Sequence, residues 1–463
     1  MTVRASRTRL EGWGRYPNVD GVELRSEDLG EITREATLSR GLARSYGDSS
    51  LPAGPDALVA NTTLADRFLA FDPETGVLRA EAGVSLGEIN RVFLRRNWFV
   101  PVTPGTQYVT LGGMVASDVH GKNHHVDGCF GEHVRSLRLR LADGSIVDCS
   151  EEDAPELFRA TIGGMGLTGH VLEVEFRMAR IPSAWIFGES ERIANLDAMI
   201  EGLKRAAESW PMTVGWIDCL AGGRRLGRGI LMKGRWATAD EAPAKPPRPK
   251  RRLSVPFDFP GWVISRWSIR AFNWLYYRKH VPRVKRGLVH PESFFYPLDA
   301  INDWNRIYGK QGFFQYQCVL PHADDNGPAR RFLDRFLRQG GVSFLSVIKD
   351  CGREGKGILS FPRPGISIAL DVPIRAGRLA VSPSGEKSRL SGELRAQALV
   401  DRLNELVLAE GGRIYLTKDA FTRPEHFRAM EPRLEAFGEI RARWDPEKKL
   451  ASAQSVRLLG DRP

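Results

Sequence analysis

The chain has 463 residues, of which 42% are apolar, so it is long enough for two or three domains and apolar enough for a sizeable core. This composition excludes wholesale disorder, and 47 scattered glycines with 28 prolines exclude a collagen-like repeat. Lysine and arginine (67) exceed aspartate and glutamate (56), and the resulting formal charge of +11 favours an anionic partner: nucleic acid, anionic lipid or a phosphorylated substrate.

The cysteines and the N-terminus narrow the class further. The five cysteines are widely spaced without a C-x-x-C pair, which argues against a disulfide framework or a zinc site and favours buried thiols. The arginines of the first 15 residues precede no apolar segment, so we expect no signal peptide. No run approaches the ~18 apolar residues of a membrane span. We therefore expect a soluble or peripheral protein.

The first half of the chain predicts a strand, a helix and a hairpin. Residues 77–82 alternate like a half-buried strand, and Ser85 is then a suitable N-cap for an amphipathic helix. Alternating residues on both sides of Asp143-Gly144 are typical of a β-hairpin. Residues 171–177 alternate again. Near residue 180 longer mixed segments with tryptophans begin, and we place a domain boundary there.

Three glycine-rich stretches are candidates for cofactor binding. Residues 164–169 match G-x-G-x-x-G, but a helix is predicted before them and a strand after them, the reverse of the order in a dinucleotide-binding fold. We therefore expect only a tight turn there. Residues 40–49 offer successive backbone N–H groups, two arginines and hydroxyls, which suit a pyrophosphate. Residues 103–121 are rich in small side chains that let the backbone approach a flat ligand.

The densest polar cluster is residues 120–125, His-Gly-Lys-Asn-His-His. No carboxylate or cysteine completes a familiar ligand spacing around these histidines, so we expect no metal. A histidine and a lysine directly after a cofactor loop favour contact with a phosphate or a reacting hydroxyl.

A basic and aromatic segment follows in the second half. Residues 240–253 hold four prolines and five basic side chains, which predict an exposed, extended loop. The next residues interleave aromatic and basic side chains, and one helical face combines Ile264, Trp267, Ala271, Trp274 and Leu275. This pattern fits an interfacial membrane helix or an amphipathic helix packed on its own domain. A nucleic-acid surface is disfavoured, because no nucleic-acid-binding motif accompanies it.

The last part of the chain predicts a polar loop at 376–392, a helix and a strand at 413–416. The helix has as its apolar positions Leu394, Ala398, Leu403, Leu406 and Val407.

Several motifs together resemble the vanillyl-alcohol-oxidase class of flavin oxidoreductases. They are R-G-L-A-R-S-Y-G-D from residue 40, V-P-V-T-P-G-T from residue 100, G-G-M-V-A-S-D-V-H-G-K-N-H-H from residue 112, G-G-M-G-L-T-G from residue 163 and Y-L-T-K-D from residue 415. Within the class, F-F-Y-P-L-D (294–299), D-W-N-R-I-Y-G (303–309) and Q-Y-Q (315–317) are similar to the branch that oxidises polyprenylphosphoryl ribose.

The resemblance implies an α+β, two-domain PCMH-type FAD-binding fold with an antiparallel-sheet substrate domain. Residues 1–180 and 412–463 would form the FAD domain, and residues 181–411 the substrate domain with a disordered or membrane-facing loop at about 240–280. FAD is expected to be non-covalent, because Arg44 stands where many relatives have a linking histidine. The implied FAD contacts are Arg40, Gly41, Leu42, Ala43, Arg44, Ser45, Tyr46, Gly47, Asp48, Ser49, Gly105, Thr110, Leu111, Gly112, Gly113, Ser117, Asp118, Val119, His120 and Tyr415.

For the reaction, the resemblance implies Lys418 and His120 as catalytic residues. The positions that match the substrate pocket of this branch are Lys122, Phe295, Gln315, Gln317, Lys349, Ser367 and Ala369. Three of them depart from the mycobacterial pattern: Ala369 replaces a cysteine, Ser367 an asparagine and Phe295 a tyrosine. These departures concern the sugar and the lipid more than the flavin chemistry.

The function that the resemblance implies is oxidation of the ribose 2′-hydroxyl of a polyprenylphosphoryl-β-D-ribose to a ketone. A separate NAD(P)-dependent short-chain reductase would complete epimerisation to the arabinose donor for a cell-envelope polysaccharide. We expect peripheral contact with the cytoplasmic face of a membrane, with the periplasmic face left open, and no nucleic-acid partner. Two alternatives are an alditol or aldonolactone oxidase of the same class and a basic membrane- or nucleic-acid-binding protein without redox activity.

Overall fold

The structure, a computed structural model, describes residues 3–248, 251–375, 379–381, 387–389 and 391–463. The strands of this part of the chain are β1 (Arg4–Glu11), β2 (Asn18–Arg25), β3 (Leu38–Arg40), β4 (Leu58–Asn61), β5 (Phe68–Phe71), β6 (Val77–Glu81), β7 (Trp98–Phe99), β8 (Val134–Arg140), β9 (Ile146–Ser150), β10 (His170–Arg177), β11 (Ala179–Arg180), β12 (Ile186–Ile193), β13 (Met212–Ile217), β14 (Gly229–Trp236), β15 (Leu253–Ser254), β16 (Val284–Val289), β17 (Ile301–Asn302), β18 (Phe313–Leu320), β19 (Ser346–Cys351), β20 (Gly365–Pro373), β21 (Leu379–Val381), β22 (Lys387–Arg389) and β23 (Arg413–Ile414).

The α-helices of the same part are α1 (Leu29–Ile32), α2 (Leu86–Phe93), α3 (Leu111–Ala116), α4 (His124–Asp127), α5 (Pro155–Thr161), α6 (Leu196–Ala207), α7 (Arg266–Arg278), α8 (Pro291–Phe295), α9 (Gly327–Arg338), α10 (Gly392–Ala409), α11 (Pro424–Met430), α12 (Leu434–Trp444) and α13 (Ala453–Leu459). The predicted helix after Ser85 is α2, which begins with a capping box between Ser85 and Glu88. The predicted hairpin is β8 and β9, joined at Asp143-Gly144.

Three sheets carry the architecture. A four-stranded sheet has the order β1-β2-β4-β3, and a five-stranded antiparallel sheet has the order β5-β6-β10-β8-β9. The third sheet is eight-stranded and antiparallel, with the order β16-β12-β14-β13-β19-β20-β18-β23. Separate helices and antiparallel sheets make this an α+β fold, as predicted.

Two large apolar cores hold these layers. The first joins the five-stranded sheet to α2, α3 and α5, and the second packs α6, α9 and α10 on the eight-stranded sheet. Strand β23 pairs with β18 of the eight-stranded sheet. The chain then returns to the first half, because Phe437 and Ile440 of α12 pack against Ala160 of α5. The cavity described below lies where the two halves of the molecule meet.

The glycine motif at 164–169 lies between helix α5 and strand β10, the order predicted from sequence. Met165 and Gly166 adopt positive φ angles of 55° and 80°, which make a tight turn rather than a helix start. The predicted tight turn is therefore confirmed, and residues 164–169 are not a Rossmann-type glycine motif.

The structure corrects two details near the end of the chain. Leu394 is exposed, and the buried face of α10 is formed by Ala396, Val400, Leu403 and Val407. The strand expected at 413–416 is limited to β23, and Leu416–Lys418 form a short 3-10 turn. The polar loop predicted at 376–392 falls partly outside the described residues, and its described part contains the paired strands β21 and β22 instead of a loop alone.

The segment around 240–280 contains structure of its own. Its described part includes β15, which pairs with β17, and helix α7, whose Ser265 N-cap accepts from the Ser268 N–H. Ile269 and Asn273 attach α7 to the domain, and Asn273 Nδ2 donates to Asp218 Oδ1 at 2.7 Å. Residues 249 and 250 lie outside the described part of the chain.

Candidate functional site

A cavity of about 540 Å³ is lined by residues from both halves of the molecule. Sixteen predicted FAD contacts line it, namely Arg40, Gly41, Leu42, Ala43, Arg44, Ser45, Tyr46, Ser49, Gly105, Thr110, Gly112, Gly113, Ser117, Val119, His120 and Tyr415. Five of the residues predicted for substrate or catalysis also line it, Gln315, Gln317, Lys349, Ala369 and Lys418. One cavity therefore brings together the motifs that the sequence places far apart.

Close backbone packing shapes the first wall of the cavity. A Cβ on Gly41 would lie 2.2 Å from Thr110 Oγ1, and one on Gly47 would lie 1.7 Å from the Asp419 carbonyl oxygen. Only glycine fits at either position. By contrast, a Cβ on Gly105 would meet open space, so its backbone faces the cavity directly. Gly41 and Gly47 thus allow close packing of the chain, whereas Gly105 leaves room for a ligand to approach the backbone.

The loop at residues 40–49 is held from behind by the C-terminal helix α13. Arg457 forms a bidentate pair with Asp48, with both N–O distances at 2.8 Å, and a further contact with Asp419 Oδ2 at 2.9 Å. These carboxylates raise the pKa of Arg457 despite its burial. Asp48 therefore lies behind the lining, where it pairs with Arg457. The buried Gly47, Leu111 and Asp118 likewise do not line the cavity.

Asp118 fixes the backbone behind the second loop. Its Oδ1 accepts from the Gly131 N–H at 2.8 Å, and its Oδ2 accepts a short hydrogen bond from Ser360. Burial raises its pKa to about 6, against the opposing effect of these hydrogen bonds. Its role in the structure is to connect the cofactor loop with the segment before β20.

One face of three neighbouring strands forms the far wall. On β18, Gln315 and Gln317 are two residues apart and share that face. Their direct partners on β20 are Asp371 and Ala369. Lys349 of β19 lies opposite Ser367 of β20. Cross-strand register thus places these polar side chains next to one another on β18, β19 and β20.

His120 connects the two walls. Its Nδ1 lies 2.7 Å from Lys349 Nζ, and its Nε2 lies 3.1 Å from Gln317 Nε2. Gln317 Nε2 also donates to Ser367 Oγ at 3.2 Å, which places Ser367 behind the lining. A neutral imidazole carries one proton and accepts at one nitrogen only. With Gln317 donating to Nε2, the Nδ1–H of His120 faces the amine of Lys349.

Burial controls the protonation of this group. It lowers the pKa of His120 well below its usual range, and the positive charge of Lys349 acts in the same direction. Burial also lowers the pKa of Lys349 to about 8. A neutral imidazole next to a lysine that can lose its proton near neutral pH makes a proton path of two groups.

Lys418 lies at the same end of the cavity, with Nζ 3.9 Å from the centroid of the Tyr46 ring. Burial lowers its pKa, and the buried carboxyl of Asp371 opposes that shift. Asp371 Oδ1 accepts a short hydrogen bond from Gln315, while its Oδ2 has no hydrogen-bond partner in the described chain. The amine of Lys418 and the carboxyl of Asp371, which has one oxygen without a partner in the described chain, therefore lie in the same part of the cavity.

Two other predicted substrate residues support the wall rather than line it. Lys122 Nζ donates to the Phe295 carbonyl oxygen at 2.9 Å, and burial lowers the pKa of Lys122 to about 7. The Phe295 ring stacks on Phe99 at 5.1 Å. In the same loop, His124 Nδ1 accepts from the Gly352 N–H at 3.0 Å. These contacts fix the position of the loop that carries His120.

Sequence reasoning missed several residues that line the cavity. They include Trp13, Tyr108, Asp299 and Trp304, and Thr417 adds a buried hydroxyl without a hydrogen-bond partner in the described chain. Trp13 and Tyr108 belong to no motif that carries chemistry. Asp299 and Trp304 occur in the motifs at 294–299 and 303–309, so the family resemblance could have indicated them as site residues.

The donor groups of the cavity fit FAD. Bare glycine backbone lines it at Gly105, Gly112 and Gly113, and Thr417 Oγ1 is buried without a partner in the described chain. Such groups accommodate a flat ring and an anionic tail. Residues 27–150 match a family model described as an FAD binding domain. The fold and cavity thus define an FAD-linked oxidoreductase of the PCMH type, acting on a CH–OH group.

The relatives identify the family. Decaprenylphosphoryl-beta-D-ribose oxidase of Mycolicibacterium smegmatis is 33% identical over 97% of this chain and 97% of its own length. A putative D-arabinono-1,4-lactone oxidase of Neurospora crassa is 25% identical over 35% of this chain and 30% of its own length. Delta(24)-sterol reductase of Mus musculus is 28% identical over 30% of this chain and 27% of its own length. The chain belongs to the decaprenylphosphoryl-β-D-ribose oxidase family.

Proposed function

We propose that this enzyme oxidises the 2′-hydroxyl of a polyprenylphosphoryl-β-D-ribose to the 2′-ketone. The observation that carries the proposal is the convergence of His120, Lys349 and Lys418 with Gln315 and Gln317 in the FAD cavity. This group combines proton acceptors, hydroxyl-binding amides and positive charge, which oxidation of a sugar hydroxyl requires. The full-length similarity to a ribose oxidase supports the same substrate class.

In this proposal the sugar lies against the polar face of β18, β19 and β20. The amides of Gln315 and Gln317 orient its hydroxyls, and Lys418 binds the 2′-oxygen. When the Gln317 amide turns from Nε2 of His120 to the sugar, the hydroxyl proton passes to Nε2 as the Nδ1 proton moves to the amine of Lys349, 2.7 Å away. Bound FAD supplies the acceptor for the hydride that leaves C2′. The ammonium of Lys418 stabilises the negative charge that develops at this end of the cavity.

The roles assigned to individual residues and the division into domains are part of the proposal. We propose an FAD domain of residues 1–180 and 412–463 and a substrate domain of residues 181–411. Most residues of the first apolar core come from the first domain and most residues of the second core from the second, but Phe294, Phe295 and Tyr296 belong to the first core and Ile414 and Phe421 to the second. We also propose non-covalent FAD, because Arg44 lines the cavity where the family resemblance implies a linking histidine in many relatives. The keto product requires a second, reductive step to give an arabinose, which we assign to a separate NAD(P)-dependent short-chain reductase.

We further propose that the enzyme binds an anionic membrane surface. The contact would be made by residues 253–278, which include α7 and which we call the docking face. Trp262 and Trp267 are 75% and 79% exposed, and Leu253 is 73% exposed. Basic side chains alternate with these apolar ones, and Arg270 and Arg278 lie over the rings of Trp267 and Trp274. Exposed tryptophans with adjacent cations are typical of interfacial helices. None of the described helices is long and apolar enough to cross a membrane.

Sedimentation with lipid vesicles tests the docking face. A Trp267→Ser/Trp274→Ser variant should bind anionic phosphatidylglycerol vesicles about tenfold or more weakly, because two interfacial rings are lost. Leu394→Ser, which removes an exposed apolar side chain from α10, is the matched control and should bind normally. Equal binding of all three proteins would exclude α7 as the docking element.

Anaerobic flavin reduction tests the catalytic proposal. The purified protein should be yellow, and a short-chain polyprenylphosphoryl ribose should bleach it in a single turnover. Bleaching by free alditols or aldonolactones, but not by the phosphorylated ribose, would favour the alternative oxidase. Absence of flavin would favour a binding protein without redox activity.

A further inference from the structure

At the mouth of the cavity, a tyrosine ring lies between two arginines. The guanidinium of Arg44 lies 5.0 Å from the centroid of the Tyr108 ring, and that of Arg252 lies 5.2 Å from it. Arg252 also donates a short hydrogen bond to the Tyr108 hydroxyl. Arg44 stacks at 3.9 Å on a second ring, that of Trp13. These four side chains, which we call the arginine gate, come from four separate segments of the chain.

The donors of the arginine gate are incompletely used. Arg44 Nε is buried and has no hydrogen-bond partner in the described chain. Arg252 has one acidic neighbour within 4 Å in the same part of the chain, Glu292, at a loose 3.8 Å. Asp299 also faces this region, but its Oδ2 accepts from the Gln107 N–H at 2.8 Å. Two planar guanidinium groups with free donors form a natural site for a phosphate oxygen.

The two ends of the cavity hold different kinds of cation. The inner end has the amines of Lys349 and Lys418, whose pKa values are lowered by burial. The mouth has guanidinium groups, which keep their charge even when buried. The inner amines thus suit proton transfer at the sugar, and the outer guanidinium groups suit a permanent anion.

The position of Arg252 connects the mouth with the docking face. It directly precedes Leu253, whose side chain is exposed, and its own side chain is 32% exposed. On the same side, Leu298, Ile301 and Trp304 line the cavity with apolar surface. A ligand that reaches the cavity from a membrane here meets apolar surface and the two guanidinium groups before it reaches His120.

We infer that the arginine gate binds the phosphate of the lipid-linked substrate, while the ribose occupies the inner end and the lipid chain leaves along the apolar mouth. This inference rests on the proposed function, because it takes its anion from the proposed substrate. It assigns Arg44 to the substrate phosphate rather than to the cofactor, and it gives a binding role to Tyr108 and Arg252.

The test compares a phosphorylated and a phosphate-free substrate in the FAD-loaded enzyme. Single-turnover flavin reduction is measured with farnesylphosphoryl-β-D-ribose and with methyl β-D-ribofuranoside at high concentration, both without vesicles. Arg252→Gln should raise the apparent Kd for the phosphorylated substrate about tenfold, the effect of losing a charge-assisted hydrogen bond. The apparent Kd for the methyl riboside should not change.

A neighbouring arginine provides the matched control. Arg251→Gln removes the same charge from an exposed position next to Arg252 and should leave both Kd values unchanged. If both variants weaken binding equally, general electrostatic attraction explains the effect and the gate is excluded. The gate is likewise excluded if Arg252→Gln leaves the apparent Kd of both substrates unchanged, or if it raises the Kd of both. If the unmodified enzyme is reduced by neither substrate, the proposed function itself fails.

Discussion

Replacing Lys418 by methionine should separate cofactor binding from catalysis. Methionine keeps the length and the apolar contact with Tyr46 but removes the ammonium, whose Nζ lies 3.9 Å from the ring centroid. No residue of the described chain forms an ion pair with Lys418 within 4 Å, so its loss leaves no salt-bridge partner behind. The variant should therefore fold and retain FAD.

The kinetic effect follows from the position of Lys418 at the inner end of the cavity. One preorganised donor facing developing negative charge in a water-excluded site contributes about 3 kcal/mol to the transition state. At about 1.4 kcal/mol for each factor of ten, the rate of flavin reduction should fall about a hundredfold. Lys418→Arg keeps the positive charge but cannot release a proton. If Lys418 acts through its charge, this variant should reduce flavin faster than Lys418→Met.

Stopped-flow flavin bleaching under anaerobic conditions measures this rate directly. The FAD content of each variant is read from its absorbance spectrum, and Lys310→Met serves as the control because Lys310 is exposed. Bleaching of Lys418→Met at the unmodified rate would remove Lys418 from the mechanism. Loss of FAD from the variant would show instead that Lys418 holds the cofactor.

Two further predictions concern protonation and cysteine chemistry. Because the proton path needs the amine form of Lys349, whose pKa is about 8, and the mechanism needs the ammonium form of Lys418, whose pKa burial also lowers, kcat/KM should pass through a maximum as pH increases, and Lys349→Met should abolish the rising limb of the pH-rate profile. Cysteine-directed inhibitors of the family should leave the intact mass unchanged, because Ala369 occupies the reactive position and the neighbouring thiol of Cys318 on β18 is buried, which raises its pKa. A stoichiometric adduct would contradict the second prediction.

The glycine loops could be read from sequence because their function requires specific local chemistry. The inverted order around residues 164–169 followed from helix and strand periodicity, and β10 confirms it. Gln315 and Gln317 were recognised through family resemblance. Their alternation also fits a strand, but only cross-strand register shows that Asp371 lies opposite Gln315. Pairing between distant strands is set by tertiary packing, which local patterns do not encode.

The arginine gate shows why the cavity mouth could not be predicted. Trp13, Arg44, Tyr108 and Arg252 come from segments that meet only after both halves of the molecule have folded. The same applies to α10, where Leu394 satisfies the helical periodicity and yet lies exposed. Helical periodicity defines a face, but the extent of the facing sheet decides how far along the helix that face is covered.

The pair between Arg457 and Asp48 joins residues 409 positions apart and has a consequence for biosynthesis. Asp48 of the cofactor loop is synthesised 409 positions before Arg457 of α13, which holds the loop from behind. Before α13 arrives, Asp48 and Asp419 are two acidic groups without their shared cation. We therefore expect stable FAD loading to be a late, post-translational step, and a truncation before Arg457 to yield apoprotein even with all cavity-lining residues present.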